Sequence, residues 1–483
     1  MDLSDDTGLN PDAPRPSDAA DPPHPPPRPP QAQPPGFGHR ALVWAVLWLA
    51  VLVTFGSIQL QYLMPGGEAQ LIAHPGPMQD ELLTGRLAVA FDAMRQQVPP
   101  MLGDHLASEA AKAVEQMRNA AVRPGQQVRV ITIIAEVHDV QAARQAIQDL
   151  AQRNQFSQDQ RQDLATLGDI YSTRQVDPDA RDLLLARHGW FAELALVHDR
   201  PAGDPQRQRV IGTALRTAYA LVGVTIGMFV VGGAGLVLFI VAMVLLVQGK
   251  LTFRYRPPPH DRRIMPYLET AAVFLALMLF LSLILMPVLM MLELPLGWLL
   301  PVLLAMTLFW PLLRRVDWAS FRRAMGWQRG RGIWREIGAG IVGYVACLPI
   351  VALGFAGTLL LTQLLGTQMH HPATEEVAMG TWQAILMVLM LGVVWAPLVE
   401  ESLFRGVFYH YMRSSWGILA SALITGLVFA AIHPQGIVGL PALTAVGVAM
   451  ALLREWRGSL VGPIAAHALH NLVLILMVLL LFA

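Results

Sequence analysis

The sequence predicts an all-α polytopic membrane protein of about nine transmembrane helices. A helix-rich, minor-β extracytoplasmic domain is expected between the first and second of them. Three observations carry this. Of the 483 residues, 54% are hydrophobic and only 14% charged, with a mean hydropathy of +0.44, a balance foreign to soluble globular domains. Apolar runs close to the ~20 residues that span a bilayer recur along the chain. Arginines gather in alternate connections between those runs, as the positive-inside rule requires of cytoplasmic loops. Net charge is zero, so no nucleic-acid partner is expected, and the single cysteine, Cys347, excludes a disulfide framework or thiolate metal site within the chain.

In chain order, residues 1–40 come first, with "PDAPRPSDAADPPHPPPRPPQAQPPGFGHR" rich in proline and poor in large apolar side chains. Such a segment cannot bury a core, and a disordered or polyproline-like cytoplasmic tail is expected. The apolar run 41–62 begins too far along for a cleaved signal peptide and is long enough to span, so it reads as a retained anchor. Residues 63–209 are a polar insertion of a size able to hold its own core. Helical periodicity recurs through it, and "QVRVITIIAEVHD" (127–139) reads as one strand. His138, His188 and His198 there show no metal-ligand spacing.

The remaining spans are expected at 219–247, 268–292, 296–313, 337–365, 382–411, 416–433, 437–453 and 460–482. Residues 210–336 thus carry helices 2–4 with basic cytoplasmic loops, and 337–483 form a last membrane domain. The loops with Arg254 to Arg263, Arg314 to Arg331, and Arg454 with Arg457 all fall on one side if every span alternates. The N-terminus is then cytoplasmic, with 63–209 and "HHPATEE" (370–376) outside.

The stretch "APLVEESLFRG" (396–406) breaks the apolar pattern, since each ionisable side chain at membrane depth costs on the order of 3 kcal/mol. Glu401 and Arg405 are i,i+4 and share a face, so they can pair. Glu400 is rotated by about 100° and needs another partner. His433 ends the seventh run, and the last run holds His467 and Asn471, again i,i+4, with His470 turned elsewhere. Counted from the basic ends, Glu400, His433, His467 and Asn471 lie ~20, ~27, ~15 and ~21 Å deep, one layer near mid-bilayer. Each has a structural reading as interhelical glue or cap, but together they mark chemistry more than packing. A carboxylate in low dielectric can take a proton from water, and imidazole and carboxamide can stabilise an oxyanion. Alternatively Glu400, His433 and His467 could ligate a divalent metal such as zinc. The residues alone leave both open.

The motifs E-E-x-x-x-R (400–405), F-x-x-x-H (429–433) and H-x-x-x-N (467–471), in this order on successive spans, resemble the CPBP family of intramembrane proteases. That family includes the CAAX prenyl endopeptidases and the bacterial Abi proteins linked to bacteriocin immunity. The resemblance covers roughly 380–483 and implies an endopeptidase acting on a membrane-associated protein or peptide, in a bacterial inner membrane. It implies Glu400 and His433 as water activators and His467 and Asn471 as oxyanion partners, or His467 in a metal site. Glu401 and Arg405 would support the site, and Phe429 would pack beside it. The cofactor stays open between a divalent metal and none, and no feature sets an oligomeric state. A non-catalytic scaffold or immunity-type binding protein is the competing reading. A transporter is disfavoured by the lack of an internal repeat.

Overall fold

A computed structural model describes residues 37–63, 79–95, 97–152, 156–173, 175–294, 296–297, 299–365 and 382–482. The proline-rich tail up to residue 36 and the loop 370–376 lie outside these. Among the described residues there are helices and turns and no strand. Helix α1 (Phe37–Leu63) is followed by the seven helices of an inserted domain, called the outer domain after the side on which the sequence expects it. These are α2 (Gln79–Arg95), α3 (Pro100–Ala120), α4 (Pro124–Val137), α5 (Val140–Ala151), α6 (Gln158–Ser172), α7 (Pro178–His188) and α8 (Trp190–Leu196).

The strand expected at 127–139 is instead α4, the central helix of this domain. Its run of β-branched residues imitates a strand, yet Val128, Val130, Ile131, Ile133 and Ile134 are all buried, pointing to every side of the helix. A helix that is apolar all round belongs in a core, and packing there outweighs the few tenths of a kcal/mol that each β-branched residue costs. Pro124 opens the first turn, and the Gln126 side chain accepts from the Arg123 backbone N–H at 2.9 Å. The one buried cation on α4, Arg129, pairs with Glu81 at 2.7 Å.

Helix α9 (Pro205–Val247) starts well before the expected span at 219. Asp204 caps it by accepting from the backbone N–H groups of Gln206 and Arg207. Its first turns bury Val210, Ala214 and Ala218 in the outer domain's core. At 43 residues it runs ~65 Å, from that core through the membrane.

The rest of the chain forms α10 (Arg262–Met291), α11 (Leu299–Thr307), α12 (Trp310–Leu313), α13 (Trp318–Met325), α14 (Ile333–Leu365), α15 (Trp382–Met412), α16 (Ile418–Ala431), α17 (Gly436–Arg457) and α18 (Val461–Phe482). Seven helices among the described residues are long and apolar enough to span, not nine. The expected span 296–313 is broken at Leu308–Phe309, ahead of Pro311, into α11 and α12. The expected span 416–433 ends at Ala431, short of the His433–Pro434 step that disfavours helix. Neither segment reaches the ~20 residues that a spanning helix needs. Trp310, which opens α12, and Arg314, just past its end, donate to Glu269 near the start of α10 at 2.9 and 2.8 Å.

Further contacts join the basic ends on that same face. Arg40 meets His260 at 3.1 Å, His260 meets Ser415 at 2.8 Å, the Arg254 backbone donates to Glu455 O, and Arg457 pairs twice with buried Glu336 at 2.7 Å. The outer domain sits at the opposite end, where Arg86 of α2 donates to Thr217 on α9 and to the Leu481 carbonyl on α18.

Small residues let the membrane helices touch backbone to backbone, as helices do where no water drives them together. A Cβ on Gly447 of α17 would stand 2.6 Å from the Gly426 Cα of α16, and one on Gly354 of α14 would stand 2.6 Å from the Pro441 carbonyl. Gly447→Val is therefore expected to part α16 from α17 and lower stability by about 2–3 kcal/mol, the scale of overpacking in a tight core. Thermal unfolding in detergent measures this, and an unchanged midpoint would contradict the crossing.

Candidate active site

Helix α15 is not regular. It widens into π-helical turns over Met390–Trp395 and Ser402–Phe408. The first precedes Pro397, whose ring would clash with the carbonyl four residues back in a regular helix and which lacks the N–H to bond it. A similar π turn, Leu281–Leu285, precedes Pro287 in α10. Such turns recur at functional sites. The acidic pair Glu400–Glu401 lies in the short α-helical stretch between the two on α15.

The two carboxylates have different surroundings. Glu401 is fully buried, and its Oε1 accepts from Arg405 and from His467 Nδ1, each at 2.9 Å. Arg405 also donates to the Gly447 carbonyl at 2.9 Å, a bond that the close α16–α17 crossing makes reachable. Its guanidinium lies 5.1 Å from the centre of the Phe429 ring. The expected Glu401–Arg405 pair is thus present, extended by a histidine and a backbone carbonyl.

Glu400 is partly open, with its side chain 27% exposed. Its Oε2 stands 3.9 Å from His433 Nε2 and 3.8 Å from His467 Nε2. His433 sits in the turn after α16, with Nδ1 2.5 Å from the Phe429 carbonyl and its ring 4.2 Å from that of Phe429. A carbonyl only accepts, so Nδ1 carries the proton and Nε2 faces Glu400 with a lone pair when the ring is neutral. Three residues separated by up to 67 positions in sequence converge on one point.

Asn471 lies one turn beyond His467 and donates from Nδ2 to the Gly392 carbonyl, in the first π turn of α15, at 2.7 Å. It is expected to converge with Glu400, His433 and His467, whereas its amide here holds α18 to α15 beside them. His470 is turned away as expected, with Nδ1 2.6 Å from the Tyr344 hydroxyl.

The alternative ligand set Glu400, His433 and His467 has suitable donors, and each histidine anchors its other nitrogen as metal ligands do. Its spacing is wider than tetrahedral zinc takes. Zinc bonds of ~2.0–2.1 Å place tetrahedral ligands about 3.3 Å apart, against 3.8 and 3.9 Å here. Among the described residues no group of three His, Cys, Asp or Glu is placed to hold a metal ion. The gap suits one water, which the three groups could reach together.

Sequence reading missed the buried carboxylates that tie the basic face. Glu336 is fully buried against Arg457, and Glu455 accepts from Tyr409 at 2.9 Å and Arg413 at 2.6 Å. Two buried acids within reach of arginine-rich helix ends were the available signal.

Residues 381–473 match the family described as type II CAAX prenyl endopeptidase Rce1-like. The C-terminal region is similar to that family. The matched stretch contains Glu400, Glu401, Arg405, Phe429, His433, His467 and Asn471. The chain is also 31% identical over 130 residues to an uncharacterized 24.3 kDa protein of Escherichia coli. That alignment covers 26% of this chain and spans 60% of the relative's length. No solved structure matches the chain. The outer domain lies outside the Rce1-like match.

Proposed function

We propose that the Rce1-like region is an intramembrane endopeptidase that hydrolyses a peptide bond of a membrane-associated protein or peptide. The observation that carries this reading is the single oxygen of Glu400 facing the Nε2 atoms of His433 and His467 at 3.9 and 3.8 Å. A water between Glu400 and His433 meets two acceptors, one for each O–H. Glu400 takes one proton as the water oxygen bonds to the carbonyl carbon, and the carbonyl oxygen takes up the negative charge. Collapse of the tetrahedral intermediate breaks the C–N bond, and Glu400 returns its proton to the departing nitrogen.

His467 needs a proton on Nε2 to serve the oxyanion, because its Nδ1 proton is committed to Glu401. Asn471, with its second N–H, completes the oxyanion side. Glu401 and Arg405 fix the tilt of His467, and Phe429 fixes His433.

The basic face is the cytoplasmic one under the positive-inside rule, which puts the N-terminus inside and residues 63–209 outside a bacterial inner membrane. The test compares membrane peptides and proteins from cells carrying the wild type or Glu400→Ala. A substrate whose processing disappears, with equal amounts of both proteins in the membrane, is the expected result. Identical processing in both would leave the scaffold or immunity-binding reading. Cleavage is expected to persist after exhaustive chelation; loss restored by zinc would reassign His433 and His467 to a metal.

A further inference from the structure

A cavity of about 860 Å³ opens on the basic face between the starts of α1 and α10 and the turn joining α12 to α13. Five arginines line it against three carboxylates. Each of those carboxylates has work within the protein. Asp261 accepts from the Arg263 backbone N–H at 2.8 Å, and Asp317 accepts from the Ser320 backbone N–H at 2.9 Å. Glu269 is taken by Arg314, Trp310 and His39. Arg314 is thereby neutralised, whereas Arg263, Arg315 and Arg323 extend their charge along the exposed rim.

Two features mark this as more than a charged surface. The chain leaves α12 by bonds from the Val316 N–H to Pro311 O and from the Arg315 N–H to Leu312 O, the helix-ending pattern whose left-handed position favours glycine. Here that position is Arg315, at φ 64°. The fold tolerates a strained arginine at the cavity edge where glycine would be easier. On the floor, buried His410 reaches the cavity, its Nδ1 held 2.7 Å from the Tyr255 hydroxyl. In the tautomer where that hydroxyl donates to Nδ1, the proton resides on Nε2, the remaining nitrogen. The cavity then offers guanidinium groups at the rim, an imidazole N–H below, and Ile264, Met265 and Val316 among its apolar walls.

We propose that this cavity binds a phosphate-bearing anion, with the headgroup of an anionic phospholipid as the source that its position at the helix ends favours. Guanidinium forks match phosphate oxygens, and the apolar walls match the glycerol and first methylenes. The site is separate from Glu400 and does not rest on the proteolytic reading.

The test uses the purified full chain in neutral detergent, titrated with short-chain phosphatidylglycerol, short-chain phosphatidylcholine and inorganic phosphate. Phosphatidylglycerol is expected to bind at least about tenfold more tightly than phosphatidylcholine. Arg263→Gln and Arg315→Gly are each expected to weaken it about tenfold, on the scale of a lost charge-assisted contact. Arg315→Gly relaxes the turn, so its melting temperature should not fall, which separates lost binding from lost folding. Arg256→Gln, on the same face outside the cavity, serves as control. Phosphate binding as tightly as the lipid, and lost in the same two variants, supports the site with a soluble source. Equal binding of the two lipids, wild-type affinity in both cavity variants, or equal weakening by Arg256→Gln would overturn it.

Discussion

Glu400→Gln is expected to slow peptide cleavage by about 10²–10⁴-fold, the usual contribution of a positioned general base. The amide keeps the shape of the carboxylate but cannot take a proton from water. Because Glu400 is partly exposed and both its histidine neighbours stand beyond direct hydrogen-bond distance, folding should be little affected. His433→Ala should cause a loss of similar size, since it removes the second acceptor for the same water. The measurement is single-turnover cleavage by purified protein, with thermal unfolding alongside. A Glu400→Gln protein that cleaves at the wild-type rate would end the proposed mechanism.

The second large effect is on stability. Arg405→Ala is expected to cost about 3–5 kcal/mol, the penalty for leaving a buried charge without its partner. Arg405 is 1% exposed and Glu401 0%, so no water can replace the guanidinium. Glu401 Oε2 already has no hydrogen-bond partner, which leaves the carboxylate dependent on what reaches Oε1. Replacing both residues with leucine should recover much of the lost stability, because a buried ion pair can often be exchanged for apolar side chains. It should not recover cleavage, since His467 Nδ1 loses its acceptor. An Arg405→Ala protein that melts with the wild type would show that the pair carries little of the fold.

Much of this site was legible because the signal is an anomaly. Glu400, Glu401, Arg405, His433 and His467 are polar where lipid-facing helices afford only apolar residues, and i,i+4 counting correctly joined Glu401 to Arg405. The same counting put His467 and Asn471 on one face but did not foresee that Asn471 is held by the Gly392 carbonyl. Periodicity assumes a regular helix, and it cannot see a π turn. For 127–139 the β-branched run was read by its own propensity, whereas its conformation is decided by the helices packed around it. The Glu336–Arg457 pair was hidden for a related reason: its members are 121 residues apart. Span number fell short where the rule of ~20 apolar residues met α16, a helix of 14 residues with Leu419, Leu423 and Leu427 exposed along one face.

The widened turns of α15 also bear on the length of its gene segment. A π turn holds one residue more than the α-helical path needs, so it is the footprint of an insertion absorbed in place. Removing one residue within 390–395 would take out that slack ahead of Glu400, but would bring the Pro397 ring against the carbonyl four residues before it. The second widened turn, Ser402–Phe408, holds Arg405 itself, so a deletion between Glu401 and Arg405 would shorten their spacing from four residues to three. Within a few residues of each other, then, this helix has one widened turn that makes room for a proline and one that carries the arginine of the buried pair.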